Sequence, residues 1–193
     1  IDDPRNQLFR EYVRLLRGLQ PKVFVMENVS GMVKGKMKLV FVDILRELKA
    51  SGYRVSARLL NAMYFNVPQS RERMIFIGVR DDLGIEPSHP KAENGQIGIS
   101  VLLPDVIATR SMKINPWIKH PRAAATITKT DSDYQLLTLS GIRRPSLTEI
   151  AMLGSFPPSF RWGKDVWARI GNSVPPLFMR AIARHIRVEI LGA

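Results

Sequence analysis

The sequence predicts an α/β chain: the later part of an open sheet with helices on its faces, plus a small, mostly β subdomain. Three observations carry this. Helical and strand-like segments alternate up to about Arg80, in the order helix, strand, helix, strand, strand. One of the strands, Val23-Phe24-Val25-Met26, is a wholly apolar run of the kind buried on both faces of a sheet. Beyond Arg80 the periodicity breaks down, and short strand-like stretches stand among Pro, Gly, Ser and Asn. The organisation that follows is 1–80 as the later part of the α/β domain and 81–142 as the small subdomain. Residues 143–193 end in a helix that returns to the α/β domain.

Each element has a local reason. Asp3-Pro4 is a helix start, an Asx cap followed by Pro at the first helical position. Leu8, Tyr12, Leu15, Leu16 and Leu19 then recur at helical spacing until Pro21. The Val23–Met26 strand stops at Glu27-Asn28, with Gly31 in the loop beyond. A second helix, Lys38 to Lys49, buries Val40, Phe41, Ile44, Leu45 and Leu48, with Gly52 as its punctuation. Tyr53 to Leu60 and Met74 to Val79 read as strands. From Asp81 to Trp117 no period emerges, and Ile99 to Leu103 fits a strand or a short helix. Ala123 to Thr128 and Leu136 to Leu139 read as short strands. Ser146-Leu-Thr-Glu149 has capping-box spacing and opens a helix through Leu153. Pro175-Pro176 opens a last helix with Phe178, Ile182, Ile186 and Ile190 on one face.

Composition narrows the function. Of the 193 residues 45% are hydrophobic and 24% charged, which excludes both a disordered chain and an integral membrane protein. No apolar run approaches the roughly 18 residues of a spanning helix. Cysteine is absent, so a disulfide scaffold, a cysteine-ligated zinc and a thiol nucleophile from this chain are all excluded. No metal-ligand set is read. The chain opens on Ile1 rather than Met, and the expectation is a piece of something longer. Net charge is +12, which favours polyanionic partners, nucleic acid first and acidic membrane surface second. The excess sits late: Ile1–Thr109 holds 16 basic and 12 acidic residues, Arg110–Ala193 holds 13 and 5. Apolar residues interleave with the later charges, so a folded basic face is expected rather than a tail.

Three motifs could carry chemistry. Glu27-Asn28-Val29 follows a buried strand, and ligands of open α/β sheets bind beyond the carboxyl ends of strands. Alone, it is as readily a loop-forming pair. Gln69-Ser70-Arg71-Glu72-Arg73 alternates into a strand, so Gln69, Arg71 and Arg73 are expected on one side, suited to phosphate or a base edge. An exposed edge paired with surface acids is the plainer alternative. Gly171-Asn172-Ser173-Val174 feeds a helix start, where glycine permits an unusual backbone angle or close approach. By itself it is no more than a cap.

In this order and spacing the motifs resemble those of the C5-cytosine DNA methyltransferases, over nearly the whole chain. Asp3-Pro4-Arg5 through Leu8-Phe9 resembles the family's fifth block. Asn66-Val67-Pro68-Gln69-Ser70-Arg71-Glu72-Arg73 resembles its Gln-x-Arg-x-Arg block, and Thr126-Ile127 the Thr-Ile/Leu pair of its target-recognition region. Arg143 through Glu149 to Phe156-Pro157 resembles the ninth block, and Gly171–Val174 the tenth. Pro145 stands where the family usually has an aliphatic residue. The family's glycine-rich cofactor loop and Pro-Cys block are absent, and both would precede Ile1.

The resemblance implies a Rossmann-like, S-adenosylmethionine-dependent methyltransferase sheet, with 81–142 as a short target-recognition region. It implies a bacterial, cytoplasmic, nucleoid-associated enzyme of the restriction-modification kind that methylates C5 of a flipped cytosine in double-stranded DNA. A thiolate adds to C6, and the resulting enamine attacks the sulfonium methyl. In that chemistry Glu27 resembles the carboxyl group at N3 and the exocyclic amine, with Asn28 shaping its turn. Arg71 and Arg73 resemble the guanidinium pair at O2 and the neighbouring backbone. Leu8 resembles the apolar residue against adenine, and Asn172, Ser173 and Val174 part of the cofactor pocket. The DNA face would hold Gln69, Arg71, Arg73, Arg110, Lys113, Lys119, Arg122, Thr126, Lys129, Arg143 and Arg144. Without Cys this chain alone is expected to be inactive, to need the N-terminal half in the same or a separate chain, and to self-associate when isolated. Two alternatives stand beside this: a non-catalytic DNA-binding subunit of a split enzyme, and a tRNA-directed relative.

Overall fold

The computed structural model describes residues 8–33, 37–93, 96–111, 116–119, 121–130 and 133–193. The expected helix start at Asp3-Pro4 lies outside them. The chain divides into two compact units. One comprises Ile1–Leu60, Glu72–Pro90 and Arg184–Ala193, the other Asn61–Arg71 and Lys91–Ala183.

The first unit is the α/β part. Helix α1 runs Leu8–Leu19, strand β1 Val23–Val29, helix α2 Met37–Lys49, strand β2 Tyr53–Asn61 and strand β3 Glu72–Arg80. The strands form one sheet in the order β1-β3-β2, with β1 and β3 antiparallel from Val23↔Val79 to Val29↔Arg73. Strand β1 runs through Glu27-Asn28-Val29 instead of ending at Met26, because those residues keep pairing with Ile75, Met74 and Arg73. Phe24, Met26, Met74, Phe76 and Tyr53 form one core with Val13 and Leu16 of α1 and Ile44 and Leu48 of α2. Full burial of each large side chain contributes roughly 1.5–3 kcal/mol. Gly78 is opposite Phe24, and a Cβ there would lie 2.0 Å from the ring, so the glycine makes room for it. The ring then meets Tyr12 and Tyr53 edge-on at 5.9 and 5.1 Å. Not every helical-period leucine is buried: Leu8, Leu15 and Leu19 are exposed on α1.

The second unit holds a four-stranded sheet of order β5-β4-β6-β7: β4 Val106–Arg110, β5 Ile118–Lys119, β6 Gln135–Thr138 and β7 Gly141–Arg143. All three pairings are antiparallel. Ile99–Val101 is a single tight helical turn. Ala123–Thr128, expected as a strand, joins no sheet and makes only a bridge of Ala124 to Gln69. Strand β6 ends at Thr138, so Leu139 stands at the hairpin tip, 86% exposed. Helix α3, Leu147–Leu153, opens on Ser146 with both bonds of the expected capping box. Helix α4 runs Val166–Asn172 and α5 Pro176–His185; from Arg184 the chain belongs to the first unit, where it widens into a π-type turn over Ile186–Ile190. The core of the second unit gathers Ile99, Leu103, Val106, Ile127, Tyr134, Leu136, Ile150, Leu153 and Ile170.

Candidate active site

In the first unit, the β1–β3 ladder brings a carboxylate and a guanidinium together. Glu27 pairs with Ile75 and Val29 with Arg73, so Glu27 and Arg73 are diagonal neighbours on one face of the sheet. Arg73 Nε lies 2.6 Å from Glu27 Oε1, and Nη1 donates to the Glu72 carbonyl at 2.7 Å. The pair is sheltered but open to approach, with Arg73 14% and Glu27 28% exposed. Burial pulls the Arg73 pKa below the ordinary guanidinium range, and the Glu27 carboxylate works against that. Charge-assisted bonds of this length fix both groups. A ring with an amidine-like edge could find an acceptor and a donor side by side here. Asn28 closes the adjoining backbone, its Oδ1 accepting from Val29 N at 2.8 Å. Leu8, also in this unit, presents an apolar side chain that is 66% exposed.

Gln69 and Arg71 are placed differently from Arg73. The strand begins only at Glu72, and Gln69 and Arg71 are buried in the second unit at 1% and 2% exposure. Gln69 and Arg71 thus stand in a different environment from Arg73. Arg71 Nη1 donates to the Ile127 carbonyl at 2.8 Å and Nη2 to the Gly171 carbonyl at 2.6 Å. Gln69 Oε1 accepts from Ile127 N at 3.3 Å, and its Nε2 donates to the Leu153 carbonyl at 3.4 Å. A buried cation is tolerated where carbonyls satisfy its donors. Asn61 holds the backbone of this segment. Its Oδ1 accepts from Arg71 N at 2.9 Å and from Met63 N at 3.2 Å, while its Nδ2 donates to Ser70 Oγ at 3.1 Å. Sequence reasoning passed over Asn61, although Asn before a short turn is a recognised capping signal.

Around Arg71 the second unit assembles the remaining motifs. Thr126 Oγ1 donates to the Ser70 carbonyl, and the Trp167 indole donates to the Thr128 carbonyl at 3.0 Å. Gly171 is needed for close approach: a Cβ there would stand 2.4 Å from Lys129 N and Thr128 C. Asn172 is exposed at the end of α4, whereas Ser173 is half-buried and Ser173 Oγ donates to the Ile170 carbonyl at 2.8 Å. Val174 is half-buried.

The basic residues sort by what they touch. Arg143 is committed to acids: it bridges Glu149 at 2.7 and 2.9 Å and Asp105 at 3.1 Å. These bonds raise the Arg143 pKa and, with Ser146, hold the Glu149 carboxyl below its ordinary value. Arg143, expected on the DNA face, is thus ion-paired and 38% exposed. Arg110 stacks its guanidinium 4.5 Å over Trp117 and donates to Gln135 Oε1. Lys119, Arg122 and Lys129 are exposed, and Arg144 is 71% exposed with Asp133 at 4.0 Å. Lys113 lies outside the described residues. Among the described residues no helix is long and apolar enough to cross a membrane.

Comparison with known proteins gives these groups a family. The chain is 29% identical to the type II methyltransferase M1.HphI of Haemophilus parahaemolyticus, covering 96% of this chain and 62% of that one. It is likewise 29% identical to M.BspRI of Lysinibacillus sphaericus, over 96% of this chain and 55% of the relative. The chain thus spans somewhat more than half the length of these relatives. A solved DNA modification methyltransferase encoded within an E. coli prophage superposes on all of this chain and 76% of its own, with a TM-score of 0.77 at 19% identity. That similarity shows the fold. The sequence profile of the C-5 cytosine-specific DNA methylases matches residues 1–115, and the chain belongs to that family.

Proposed function

We propose that the protein containing this chain transfers a methyl group from S-adenosylmethionine to C5 of a flipped cytosine in double-stranded DNA, with Glu27 and Arg73 as the groups that hold the base. The observation that carries this reading is the 2.6 Å contact of Arg73 with Glu27 at the end of β1. Glu27 supplies a carboxyl group to N3 and the exocyclic amine, and Arg73 a donor to O2, so density pushed into the ring is met by a proton and a positive charge. The target atom is unreachable inside a duplex, hence the flipped base. Asn28 holds the backbone that carries Glu27. Gln69 and Arg71 are read as supports of the second unit.

The thiol that adds to C6 comes from outside this chain, which has no cysteine. Each residue read as a cofactor contact is accessible in its own unit: Leu8 is an exposed apolar side chain of the first, and Asn172 an exposed amide of the second. The cofactor, when bound, supplies an electrophilic methyl. Ser173 shapes the turn behind Asn172, with Val174 beside it. The accessible cations Lys119, Arg122, Lys129 and Arg144 are read as phosphate contacts. Strand β1 is an edge among the described strands, and its apolar sequence fits pairing with the part of the methyltransferase that brings the thiol, in the same or a separate chain. Methyl incorporation into duplex DNA against tRNA by the complete enzyme, followed by bisulfite sequencing, tests the reading. Transfer to tRNA alone, or methylation at a position other than cytosine C5, overturns it.

A further inference from the structure

Three motifs to which the sequence gives separate tasks meet on one guanidinium. Arg71 donates to Ile127 in the strap Thr126–Lys129 and to Gly171 at the end of α4, partners 56 and 100 residues away. We infer that Arg71 is a positioning residue that couples the strap to the turn Gly171–Val174, so that a displacement of one is transmitted to the other. The naming of DNA and cofactor as the loads rests on the proposed function; the coupling does not.

The geometry makes the coupling specific. A guanidinium is a rigid planar fork, so Nη1 and Nη2 cannot follow two carbonyls independently. The Ile127 carbonyl shares a peptide plane with the Thr128 nitrogen, one residue before the exposed Lys129. The Gly171 carbonyl likewise shares a plane with the nitrogen of the exposed Asn172. It also lies in the last turn of α4, where carbonyls lack helical partners and the helix dipole favours a cation. The side chain therefore sets both planes at once. Other contacts to the strap do not do this. Gln69 and Ser70 reach Ile127 and Thr126 without touching the turn, and Trp167 ties α4 to Thr128 but holds neither the Ile127 nor the Gly171 carbonyl. Packing of Gly171 on Thr128 and Lys129 limits approach but does not resist separation.

Hydrogen–deuterium exchange of the 193-residue chain tests this, read on peptides covering 125–130 and 169–175. Thr126→Val removes the bond to Ser70 and should raise exchange in the strap and, in an otherwise unchanged chain, in the turn. Arg71→Met should raise exchange in the turn at least about tenfold, the scale of losing a charge-assisted hydrogen bond. Adding Thr126→Val to it should then change the strap alone. Arg71→Lys keeps the charge but not the fork and should uncouple in the same way. If Arg71→Met does not fold, Arg71→Lys with Thr126→Val as the strap perturbation decides. Equal transmission to the turn with and without Arg71, or an unaltered turn in both variants, overturns the inference. In a second arm, duplex DNA should slow exchange in strap and turn of the unchanged chain, but in the strap only of Arg71→Lys. A duplex that fails to bind counts against the proposed function, and the first arm still decides the coupling.

Discussion

Gly171→Ala should destabilise the second unit specifically. Its Cβ would sit 2.4 Å from Lys129 N and Thr128 C, about 1 Å inside an ordinary contact of roughly 3.5 Å. Both atoms are backbone, so no side chain can swing aside. Relief requires the strap and α4 to part, which stretches the 3.0 Å bond from Trp167 to Thr128 and the 2.6 Å bond from Arg71 to Gly171. Overpacking alone costs about 1–3 kcal/mol, and a weakened hydrogen bond adds about 1 kcal/mol, for a total of about 2–4 kcal/mol. The assay is built into the sequence: Trp117, Trp162 and Trp167 all lie in the second unit, so urea unfolding followed by tryptophan emission reports on it alone. Gly163→Ala is the control, because a Cβ there would meet only the Arg169 guanidinium at 3.8 Å. A Gly171→Ala stability within about 0.5 kcal/mol of the unchanged chain would refute the close-approach reading.

The other expectations concern chemistry, pH and salt. In the complete enzyme, Glu27→Gln should lower single-turnover methyl transfer about 10²–10⁴-fold with DNA affinity nearly kept; a change of a few-fold would make Glu27 structural. The Glu149 carboxyl is held below its ordinary value of 4.5 by Arg143 and Ser146, so its contribution is present above that pH and is lost as pH falls through the lower folded-state value. Acid titration of the tryptophan-monitored stability should show this loss, and Glu149→Gln should flatten it. The chain should bind duplex DNA nonspecifically with a Kd of about 10⁻⁴–10⁻⁶ M and a steep salt slope, and salt-independent binding in a filter assay would contradict the role given to Lys119, Arg122, Lys129 and Arg144.

The α/β part was readable because its segments are long enough to show a period. Helix α2 and strands β2 and β3 fall within a residue or two of their expected bounds. The small sheet was not. Strands β4, β5 and β7 have five, two and three residues, too few for alternation to emerge, and β4 is bulged between Val106 and Ala108. Helix α4 has seven residues including Gly171 and Asn172, weak formers on local propensity. What holds it is tertiary: Ile170 in the core, Trp167 on Thr128 and Arg71 on Gly171.

At the candidate site, sequence spacing singles out residues but not the surroundings of each. Gln69, Arg71 and Arg73 alternate, and alternation implies a common face only while the chain is a strand. Before β3 begins, the backbone of Arg71 is held by the Asn61 side chain and by Ala62 N, and Arg71 is buried while Arg73 lies beside Glu27. The burial of a guanidinium is then compatible with folding only if carbonyls are waiting for it, and Ile127 and Gly171 supply them from segments whose own motifs had looked independent. The motifs thus divide by a physical criterion. Glu27 and Arg73 keep polar atoms within reach of solvent, as the proposed contact with a base requires, whereas Gln69 and Arg71 are buried with backbone partners, as the proposed positioning role requires.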